Sequence, residues 1–385
     1  MSENDKMEFD EAWYLANYPD VAAALERGKI ASGLEHYNNN GRLEGRYVSA
    51  QEKLTRVGAP RVFAMGAYGT NNVGDEAIFD GIKIEIPDCI PVHIGKSHRK
   101  NAVFFEEPLR EHNFFRSSDK LIIGGGGLLY DPRAVSVLTR VAQMARKNKA
   151  TVEILGLGCE AAEKSFYAEI LALTNLADRI TVRSSISQEI MKKITGRSVE
   201  RQDDFAFNLS KLNIGPATGS KGPIPNIGVV TSGDVLEDIK ELCRIIRTFT
   251  AGARVANFFH IPHSKAYFDF RNNDLIVGES IWSSIEIYYE SREGHYFTES
   301  FTVEPSQILS RYRKLDGVIS RRYHGLVFSK IMNLPCLAMN SSSLKNRSFV
   351  EDHRSDLTHT SSNNDDLFEK FESFYDDVLM RARDR

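Results

Sequence analysis

Short apolar segments that alternate with amphipathic ones constrain the fold of this chain more than any other sequence feature. Between residues 61 and 194, four apolar segments predict β-strands, and a helical pattern follows each of them. The strands are predicted at 61–65, 120–123, 151–157 and 180–182, and the helices at 75–84, 132–147, 163–176 and 184–194. Strands and helices that alternate in this way are typical of a parallel sheet with helices on both faces.

A second set of strands follows a segment that is rich in glycine and proline. Residues 211–225 are predicted to be a linker, because they contain three glycines and three prolines. Beyond them, strands are predicted at 227–231, 254–259, 317–320 and 335–339. We therefore expect an α/β protein with two domains, at residues 58–210 and 225–350, and a cleft between them.

Helical segments are predicted at both ends of the chain. Residues 1–50 are dense in aromatic side chains for so short a segment, which predicts a small helical appendage docked on something larger. We interpret this appendage as a packing or interaction element without chemistry. Residues 363–385 carry apolar side chains at helical spacing and are predicted to form a terminal helix.

Composition narrows the classes of function that are open to the chain. Of its 385 residues 26% are charged, as in ordinary globular proteins, and a net charge of −3 does not attract nucleic acid. The four cysteines form no CxxC pair, which favours reduced thiols over disulfides or a zinc site. The polar N-terminus is unlike a signal peptide, and no apolar run approaches the ~20 residues of a membrane helix. We expect a cytoplasmic protein that could associate peripherally with the inner face of the membrane.

Two arginines and a histidine lie between a predicted strand and a predicted helix in the second half of the chain. Arg321, Arg322 and His324 follow the strand at 317–320 and adjoin an apolar helical segment at 325–332. Cationic donors at the carboxyl end of a strand, beside a helix N-terminus, form an anion site in open α/β sheets. The alternative is that the arginines are solvated turn charges and that the histidine caps the helix.

The loop after the first predicted strand combines glycines with polar side chains. Three glycines between residues 66 and 74 let the backbone approach a ligand, and the next helix points its N-terminus at the cleft. Asp75 is predicted to cap that helix. Capping does not explain the asparagines before it, among them Asn72, which suit a substrate with several hydroxyl groups.

Four consecutive glycines follow the second predicted strand: Gly124, Gly125, Gly126 and Gly127. They are not a Rossmann fingerprint, which would need a glycine in place of Leu129, and no Gly-Lys-Ser/Thr follows to make a P-loop. A tight turn would need one glycine only. We therefore favour a backbone that faces a ligand.

Arg183 follows a predicted strand in the first half, as Arg322 does in the second half. We expect the two guanidinium groups to face one another across the cleft and to clamp an anion. The alternative for each arginine alone is a solvated charge at a strand end.

Two histidines follow a buried strand of the second half. His260 and His263 have no acidic or cysteine partner nearby, and Pro262 prevents a helix, so we expect no metal site here. His263 is open to two interpretations, contact with a substrate and a purely structural role.

Taken in order, these segments resemble the polysaccharide pyruvyl transferase family. The matching motifs are Asn72-x-Gly74-Asp75-Glu-Ala, Gly125-Gly-Gly127 with Asp131, Val182-Arg183, Asp204-x-Ala206, His263, Ile319-Ser-Arg-Arg322-x-His324-x-Leu, and Lys345 after the next strand. The resemblance spans residues 60–350. The chain departs from the family pattern at Phe205, where a proline is usual, and at Tyr323, which is bulkier than expected.

The resemblance implies a GT-B-like arrangement of two Rossmann-like halves. It also implies transfer of the pyruvyl unit of phosphoenolpyruvate to two hydroxyls of a sugar, as a cyclic ketal, in exopolysaccharide or capsule biosynthesis. The acceptor would be a lipid-linked or nucleotide-linked saccharide. No metal and no cofactor are implied besides phosphoenolpyruvate as donor substrate.

The resemblance assigns roles to the candidate residues. Arg183 and Arg322 would bind the phosphate and the carboxylate of the donor, His324 would deliver a proton, and Asp75 would accept one. The acceptor would lie against Asn72 and the loop of Gly125, Gly126 and Gly127. Further substrate contacts are carried over to Asp131, His263 and Lys345.

Two other functions remain open on the sequence. In a GT-B glycosyltransferase, the basic clamp would bind the diphosphate of a nucleotide sugar, and Asp131 or Asp204 would contact its ribose. In a non-catalytic glycan-binding or scaffold protein, the aromatic appendage would carry the function.

Overall fold

The structure, a computed structural model, describes residues 9–42, 44–49, 60–94, 103–110, 114–231, 240–247, 255–265, 273–289, 295–339, 344–361 and 367–383. The predicted limits at residues 1, 50, 58, 363 and 385 lie outside the described residues, as does residue 254, where one strand is predicted to begin.

A helical appendage precedes the first sheet, as predicted. It contains α1 (Glu11–Asn17), α2 (Pro19–Glu26), α3 (Gly33–His36) and a π-helical turn (Tyr37–Gly41). Tyr14 is buried at its centre, and its ring centroid lies 4.7 Å from that of Tyr18. Arg46 ties the end of the appendage to α2, because it donates hydrogen bonds of 2.8 and 2.6 Å to the carboxylate of Asp20.

The N-terminal domain contains a seven-stranded parallel sheet. Its strands are β1 (Val62–Gly66), β2 (Ile90–His93), β3 (Val103–Phe104), β4 (Lys120–Gly126), β5 (Thr151–Leu157), β6 (Arg179–Val182) and β7 (Glu200–Arg201). Its helices are α4 (Val73–Glu85), α5 (Glu106–Arg110), α6 (Pro132–Lys147), α7 (Tyr167–Thr174) and α8 (Ser185–Thr195), with 3₁₀ segments at Lys164–Phe166 and Phe205–Lys211. The strand order is β3-β2-β1-β4-β5-β6-β7.

The C-terminal domain repeats this architecture with six parallel strands. They are β8 (Asn226–Val230), β9 (Asn257–His260), β10 (Tyr296–Thr298), β11 (Gly317–Ser320), β12 (Cys336–Ala338) and β13 (Thr358–Thr360), in the order β10-β9-β8-β11-β12-β13. The helices are α9 (240–247), α10 (Asp274–Tyr289), α11 (Pro305–Tyr312), α12 (Tyr323–Ile331), α13 (Leu344–Asp352) and α14 (Leu367–Arg383).

Each sheet has the strand order of a Rossmann fold. The chain reverses its direction of travel across the sheet between β1 and β4 in the first domain, and between β8 and β11 in the second. In open α/β sheets, ligands bind in the crevice outside the carboxyl ends of the strands at this point. The topology therefore predicts a ligand site at the loops after β1, β4 and β11, where the candidate residues from the sequence lie.

The predicted strands of both halves are confirmed, whereas five short strands at or next to the edges of the sheets have no counterpart among the predictions. The unpredicted strands β2, β3, β7, β10 and β13 contain two to four residues each. Such short segments carry too few side chains to show a periodic pattern. These strands form because they pair with neighbouring strands of the sheet, which the local sequence does not show.

One hydrophobic cluster joins the two domains. It contains Ile78 and Phe205 from the first domain, and Ile308, Leu326 and Phe349 from the second. Because burial of apolar surface stabilises by about 25 cal/mol per Å², this shared core fixes the two halves against each other. The carboxyl ends of their strands are thereby held in one place.

The predicted linker and the terminal helix both pack on the second domain. In the linker, the N–H of Thr218 donates to the carbonyl oxygen of Arg313 at 2.6 Å, and the N–H of Ser220 donates to Asp316 at 3.0 Å. Helix α14 buries Phe371, Phe374, Tyr375 and Val378 in a cluster with residues of the sheet.

The described helices include none whose length and apolar character would let it cross a membrane. All four cysteines are buried and unpaired.

Candidate active site

The two domains meet where the N-terminus of α4 faces the N-terminus of α12. The imidazole of His324, in the first turn of α12, lies against Gly74, and a Cβ atom at Gly74 would be only 2.1 Å from its Nδ1. The N–H of Val73 also donates to the carbonyl oxygen of His263 at 2.9 Å. A glycine is therefore required at position 74, because any side chain would displace the histidine of the other domain.

Asn72, and not Asp75, caps helix α4. The side chain of Asn72 accepts a hydrogen bond from the N–H of Gly74 at 3.0 Å, and its backbone forms a β-bridge with Ser264 of the second domain. The prediction that Asp75 is the cap is wrong, because the helix begins two residues earlier than predicted. Asn72 therefore caps the start of α4, and the carboxylate of Asp75 is not used as the cap.

Asp75 lies in the first turn of α4 among charged groups of both domains. Burial raises the pKa of its carboxyl group to about 6, although the charges of His324, Lys345 and Arg183 act in the opposite direction. A carboxylate with this pKa can take up a proton near neutral pH. The geometry therefore leaves Asp75 available for proton transfer.

The glycine run at the end of β4 has two parts, one that packs against the protein interior and one that faces the cleft. Gly125 and Gly126 have φ angles of +70° and +81°, and a Cβ atom at Gly125 would lie 2.0 Å from a methyl carbon of Ile78. This part of the run packs inward on α4. Gly127 faces the cleft, because a Cβ atom there would lie 3.1 Å from the Nζ of Lys345.

The first arginine of the predicted clamp is enclosed by its own carboxylates. Arg183 donates to Asp204 at 3.1 Å and to Glu160 at 3.3 Å and 3.4 Å, and its side chain is only 2% exposed. Its guanidinium carbon also lies 4.0 Å from the centre of the Tyr323 ring. The expected arrangement, a guanidinium that faces the cleft and is free to bind an anion, is therefore not what the structure shows at Arg183.

The second arginine is paired but remains more accessible. Arg322 donates to Asp274 through Nε at 3.0 Å and Nη2 at 2.5 Å, and its side chain is 16% exposed. The same carboxylate accepts the backbone N–H groups of His263 and Ser264. Within the described parts of the chain, Nη1 of Arg322 has no hydrogen-bond partner and can still donate.

Lys345 is the cation of the cleft without a carboxylate in direct contact. It is partly buried at the start of α13, with its ammonium beside Gly127. Burial lowers the pKa of this ammonium group, and the charges of Arg183 and Arg322 lower it further. No hydrogen bond or ion pair reaches it from the residues that the structure describes, so an anionic ligand would supply the missing partner.

Two of the predicted substrate contacts have structural partners. His263 is buried, with Nε2 3.1 Å from the Tyr312 hydroxyl, and burial holds the pKa of the imidazole well below its usual value. The carboxylate of Asp131 caps α6 by accepting the N–H of Arg133 at 2.8 Å. Their roles as substrate contacts stay predictions.

A family model described as polysaccharide pyruvyl transferase matches residues 72–343. The chain belongs to the polysaccharide pyruvyl transferase family. The matched region begins at the cap of α4 and includes His324, and it ends two residues before Lys345. Membership shows that the protein is a transferase that acts in polysaccharide modification.

Solved structures show the fold alone, because their sequences are distant. A glycosyltransferase from Rickettsia africae superposes with a TM-score of 0.54 at 9% identity, over 85% of this chain and 92% of that chain. HepE from Anabaena, in a complex with UDP and glucose, gives a TM-score of 0.53 at 10% identity, over 84% and 93% of the two chains. The fold of this pyruvyl transferase family member is thus that of GT-B glycosyltransferases. No curated protein matches the sequence.

Two carboxylates of this pyruvyl transferase site, Glu160 and Asp274, were not predicted as site residues, and a third, Asp204, was named only as a ribose contact in the glycosyltransferase alternative. Glu160 and Asp204 enclose Arg183, and Asp274 binds Arg322. Asp204 belongs to a motif that the sequence comparison with the family singles out, so a signal for it exists. Glu160 and Asp274 show no local pattern, because their partners lie 23 and 48 residues away in the sequence.

No group of three or more histidine, cysteine, aspartate or glutamate side chains among the described residues is arranged to hold a metal ion.

Proposed function

We propose that this member of the family transfers the pyruvyl group of phosphoenolpyruvate to two hydroxyls of one sugar in a saccharide acceptor. The product would be a cyclic ketal, with release of inorganic phosphate, in the synthesis of an exopolysaccharide or capsule. Lipid-linked and nucleotide-linked saccharides are the acceptor classes that we propose.

The observation that carries the proposal is the convergence of an acid, a base and an unpaired cation from two domains. His324 and Lys345 come from the second domain, and the charges of both act on Asp75 of the first domain. The ammonium group of Lys345 also lies beside Gly127. Phosphoenolpyruvate carries a phosphate and a carboxylate, so it needs at least two cationic partners. Lys345 and the free Nη1 of Arg322 can supply them without breaking an existing pair.

Helix α12 adds a further attraction for the donor. Its N-cap residue, Arg322, forms no side-chain capping hydrogen bond, and the helix runs for nine residues. The N-terminus of a helix carries a partial positive charge and free N–H groups, which favour an anion. We therefore propose that the phosphate binds at this end, beside His324.

The reaction can be written with the residues in these positions. His324 donates a proton to the methylene carbon of phosphoenolpyruvate, which becomes a methyl group and leaves C2 electrophilic. The first sugar hydroxyl forms a bond to C2 and loses its proton to Asp75. The bond between C2 and the phosphate oxygen then breaks, and the second hydroxyl bonds to C2. Its proton leaves with the phosphate, and the proton held by Asp75 returns to His324 before the next turnover. The two hydroxyl protons thus account for the methyl hydrogen and the phosphate proton.

Thermal unfolding with phosphoenolpyruvate tests the donor. At ligand concentrations ~100-fold above Kd, binding should stabilise the protein by about 2.7 kcal/mol, and Arg322→Ala should remove most of this shift. UDP and GDP serve as competitors of the other ligand class. Stabilisation by a nucleoside diphosphate and not by phosphoenolpyruvate would place the protein among the nucleotide-sugar transferases.

Loss of the proposed acid should separate chemistry from folding. His324→Gln keeps a polar side chain of similar size beside Gly74, and we expect turnover to fall by about 10² to 10⁴-fold while thermal unfolding is unchanged. Turnover is measured as phosphate released from phosphoenolpyruvate in the presence of saccharide acceptors. Full activity of the variant would exclude His324 as the proton donor, and would favour a role in binding only.

A further inference from the structure

We propose that Asp204 is a positioning residue that pairs with the protonated imidazole of His324 across the domain boundary and holds it in place. The inference rests on the proposed function, in which a cationic His324 donates a proton. In the proposed mechanism, Asp204 neither binds the donor nor acts as the acid or the base.

The geometry places Asp204 between a fixed cation and a titratable one. Its Oδ2 lies 3.1 Å from Nη1 of Arg183 and 3.8 Å from Nε2 of His324. Its other oxygen, Oδ1, accepts the N–H of Ala206 at 3.0 Å, which fixes the carboxylate at the start of the 3₁₀ segment. Nε2 of His324 is buried and has no hydrogen-bond partner in the described structure, so Asp204 offers its nearest carboxylate oxygen.

Two buried carboxylates share the single guanidinium group of Arg183. Arg183 carries one positive charge, whereas the two carboxylates around it, Glu160 and Asp204, carry two negative charges. Glu160 faces Arg183 and also accepts the Ser184 hydroxyl at 3.0 Å, so it is satisfied without His324. The remaining negative charge lies on the side of His324, and a protonated imidazole neutralises it.

The ionisation of the two carboxylates agrees with this count. Burial alone would raise the pKa of Asp204, but the charges of His324 and Arg183 and the N–H of Ala206 outweigh it, and the pKa lies well below its usual value. For Glu160, burial is likewise outweighed by Arg183, and its pKa is lowered. Both groups are therefore anions throughout the range in which a histidine titrates.

Other ionisable groups also face His324 and set the direction of the test. Asp75 of α4 acts on it from one side, Asp204 from a second, and the neutral His263 lies beyond, while Tyr323 precedes it on α12. Of the two carboxylates, only Asp204 is held in the anionic form by a permanent cation in direct contact. Asp204 is thus the group whose removal should change the protonation of His324 most.

The test compares the wild type with Asp204→Asn in the full chain. Asparagine keeps an oxygen for the N–H of Ala206 and removes the charge. We expect the ring titration of His324, followed by NMR and assigned with His324→Gln, to move to lower pH by about one unit or more. The affinity for phosphoenolpyruvate, measured by calorimetry across pH, should fall about tenfold above the new midpoint, since one pH unit is a tenfold change, and should be unchanged well below it.

Asp352→Asn is the matched control, because Asp352 also forms an ion pair across the domain boundary, with Arg201 at 2.6 Å, and does not contact His324. It should leave both titrations unchanged. Asp204→Glu, which keeps the charge, should restore the wild-type midpoint. Asp204→Ser, which removes the charge and keeps an oxygen near the N–H of Ala206, serves as the test if the asparagine variant does not fold.

Two results would overturn the proposal. An unchanged His324 midpoint in Asp204→Asn would show that the carboxylate does not hold the imidazole, and an equal loss of phosphoenolpyruvate affinity at every pH would show a structural role only. If the wild type does not bind phosphoenolpyruvate at all, the proposed function fails, but the NMR titration still decides the role of Asp204.

Discussion

Arg183 and Arg322 both lie at strand-to-helix junctions, one in each domain, but they have different environments. Each lies within two residues of the end of a strand and precedes a helix of a Rossmann-like sheet. Arg183 is enclosed by two carboxylates and an aromatic ring, whereas Arg322 has one carboxylate, which is shared with two backbone N–H groups, and keeps a free nitrogen.

The difference shows that topology determines where a residue lies but not what it can bind. The first-domain side of the cleft is built from a buried guanidinium group enclosed by two carboxylates. The second-domain side combines an accessible arginine with neutral, buried histidines, His260 and His263. The first environment suits a fixed electrostatic support, and the second suits contact with a ligand.

The largest expected effect is the loss of stability in Arg183→Met. Removal of the guanidinium leaves Glu160 and Asp204 buried without their permanent cation, and breaking a buried pair in this way costs about 3–5 kcal/mol. Arg322→Met leaves Asp274 with its two backbone N–H donors, so a smaller loss of about 1–3 kcal/mol is expected. Urea unfolding of both variants measures the difference. Equal losses would mean that the two arginines have equivalent roles in the fold.

Gly74→Ala tests the contact between the two sides of the cleft directly. The added methyl group would overlap the imidazole of His324, and overpacking of this kind costs about 1–3 kcal/mol. Activity should fall as well, because His324 must move. Gly222→Ala is the control, since a Cβ atom there meets nothing within 4 Å, and we expect a change within about 0.5 kcal/mol. A stable, fully active Gly74→Ala would show that His324 need not lie against α4.

Acid should weaken the second-domain side before the first. Burial lowers the pKa of His260 to about 3, and the unfolded value is about 6.5, so the unfolded state binds more protons between these limits. The stability that neutral His260 contributes is therefore present above pH ~6.5 and is lost as the pH falls towards 3. At pH 5 the loss should be about 2 kcal/mol.

Urea unfolding at pH 7.5 and pH 5.0 measures this loss. His260→Gln, which can still contact the Thr231 hydroxyl that lies 3.0 Å from Nε2 of His260, should lose less stability over the same interval. Asp204 and Glu160, whose pKa values are lowered, should contribute losses only at lower pH. The same pH dependence in wild type and variant would contradict the assignment to His260.

The smallest expected effect concerns an ion pair between the domains in which the arginine is half exposed and the carboxylate is mostly buried. Asp352 accepts a hydrogen bond from Arg201, which is 47% exposed, and the N–H of Ser185. Asp352→Asn keeps an acceptor for the N–H and should cost about 0.2–1 kcal/mol, less at 1 M salt because the Debye length falls to about 3 Å. A large, salt-independent loss would place this pair with the buried ions of Arg183.

The sequence alone predicted the layout of the protein. Apolar segments that alternate with helices, with turn residues between them, indicated two α/β domains, and the motifs at the strand ends indicated the family. These signals are local, since a strand or an amphipathic helix shows its periodicity within a few residues. The same local patterns located Asp75, Arg322 and His324 at the strand-to-helix junctions that border the cleft, and the resemblance to the family added Lys345.

Only the tertiary structure decided what each of these residues contacts. Helix α4 is capped by Asn72 and not by Asp75, and the backbone of Asn72 also forms a β-bridge with Ser264 of the other domain. The guanidinium of Arg183 became an internal support because Glu160 and Asp204 converge on it from separate loops. The sequence determines which elements form, because that depends on neighbouring residues, whereas burial and charge pairing depend on residues that are distant in the chain and adjacent only after folding.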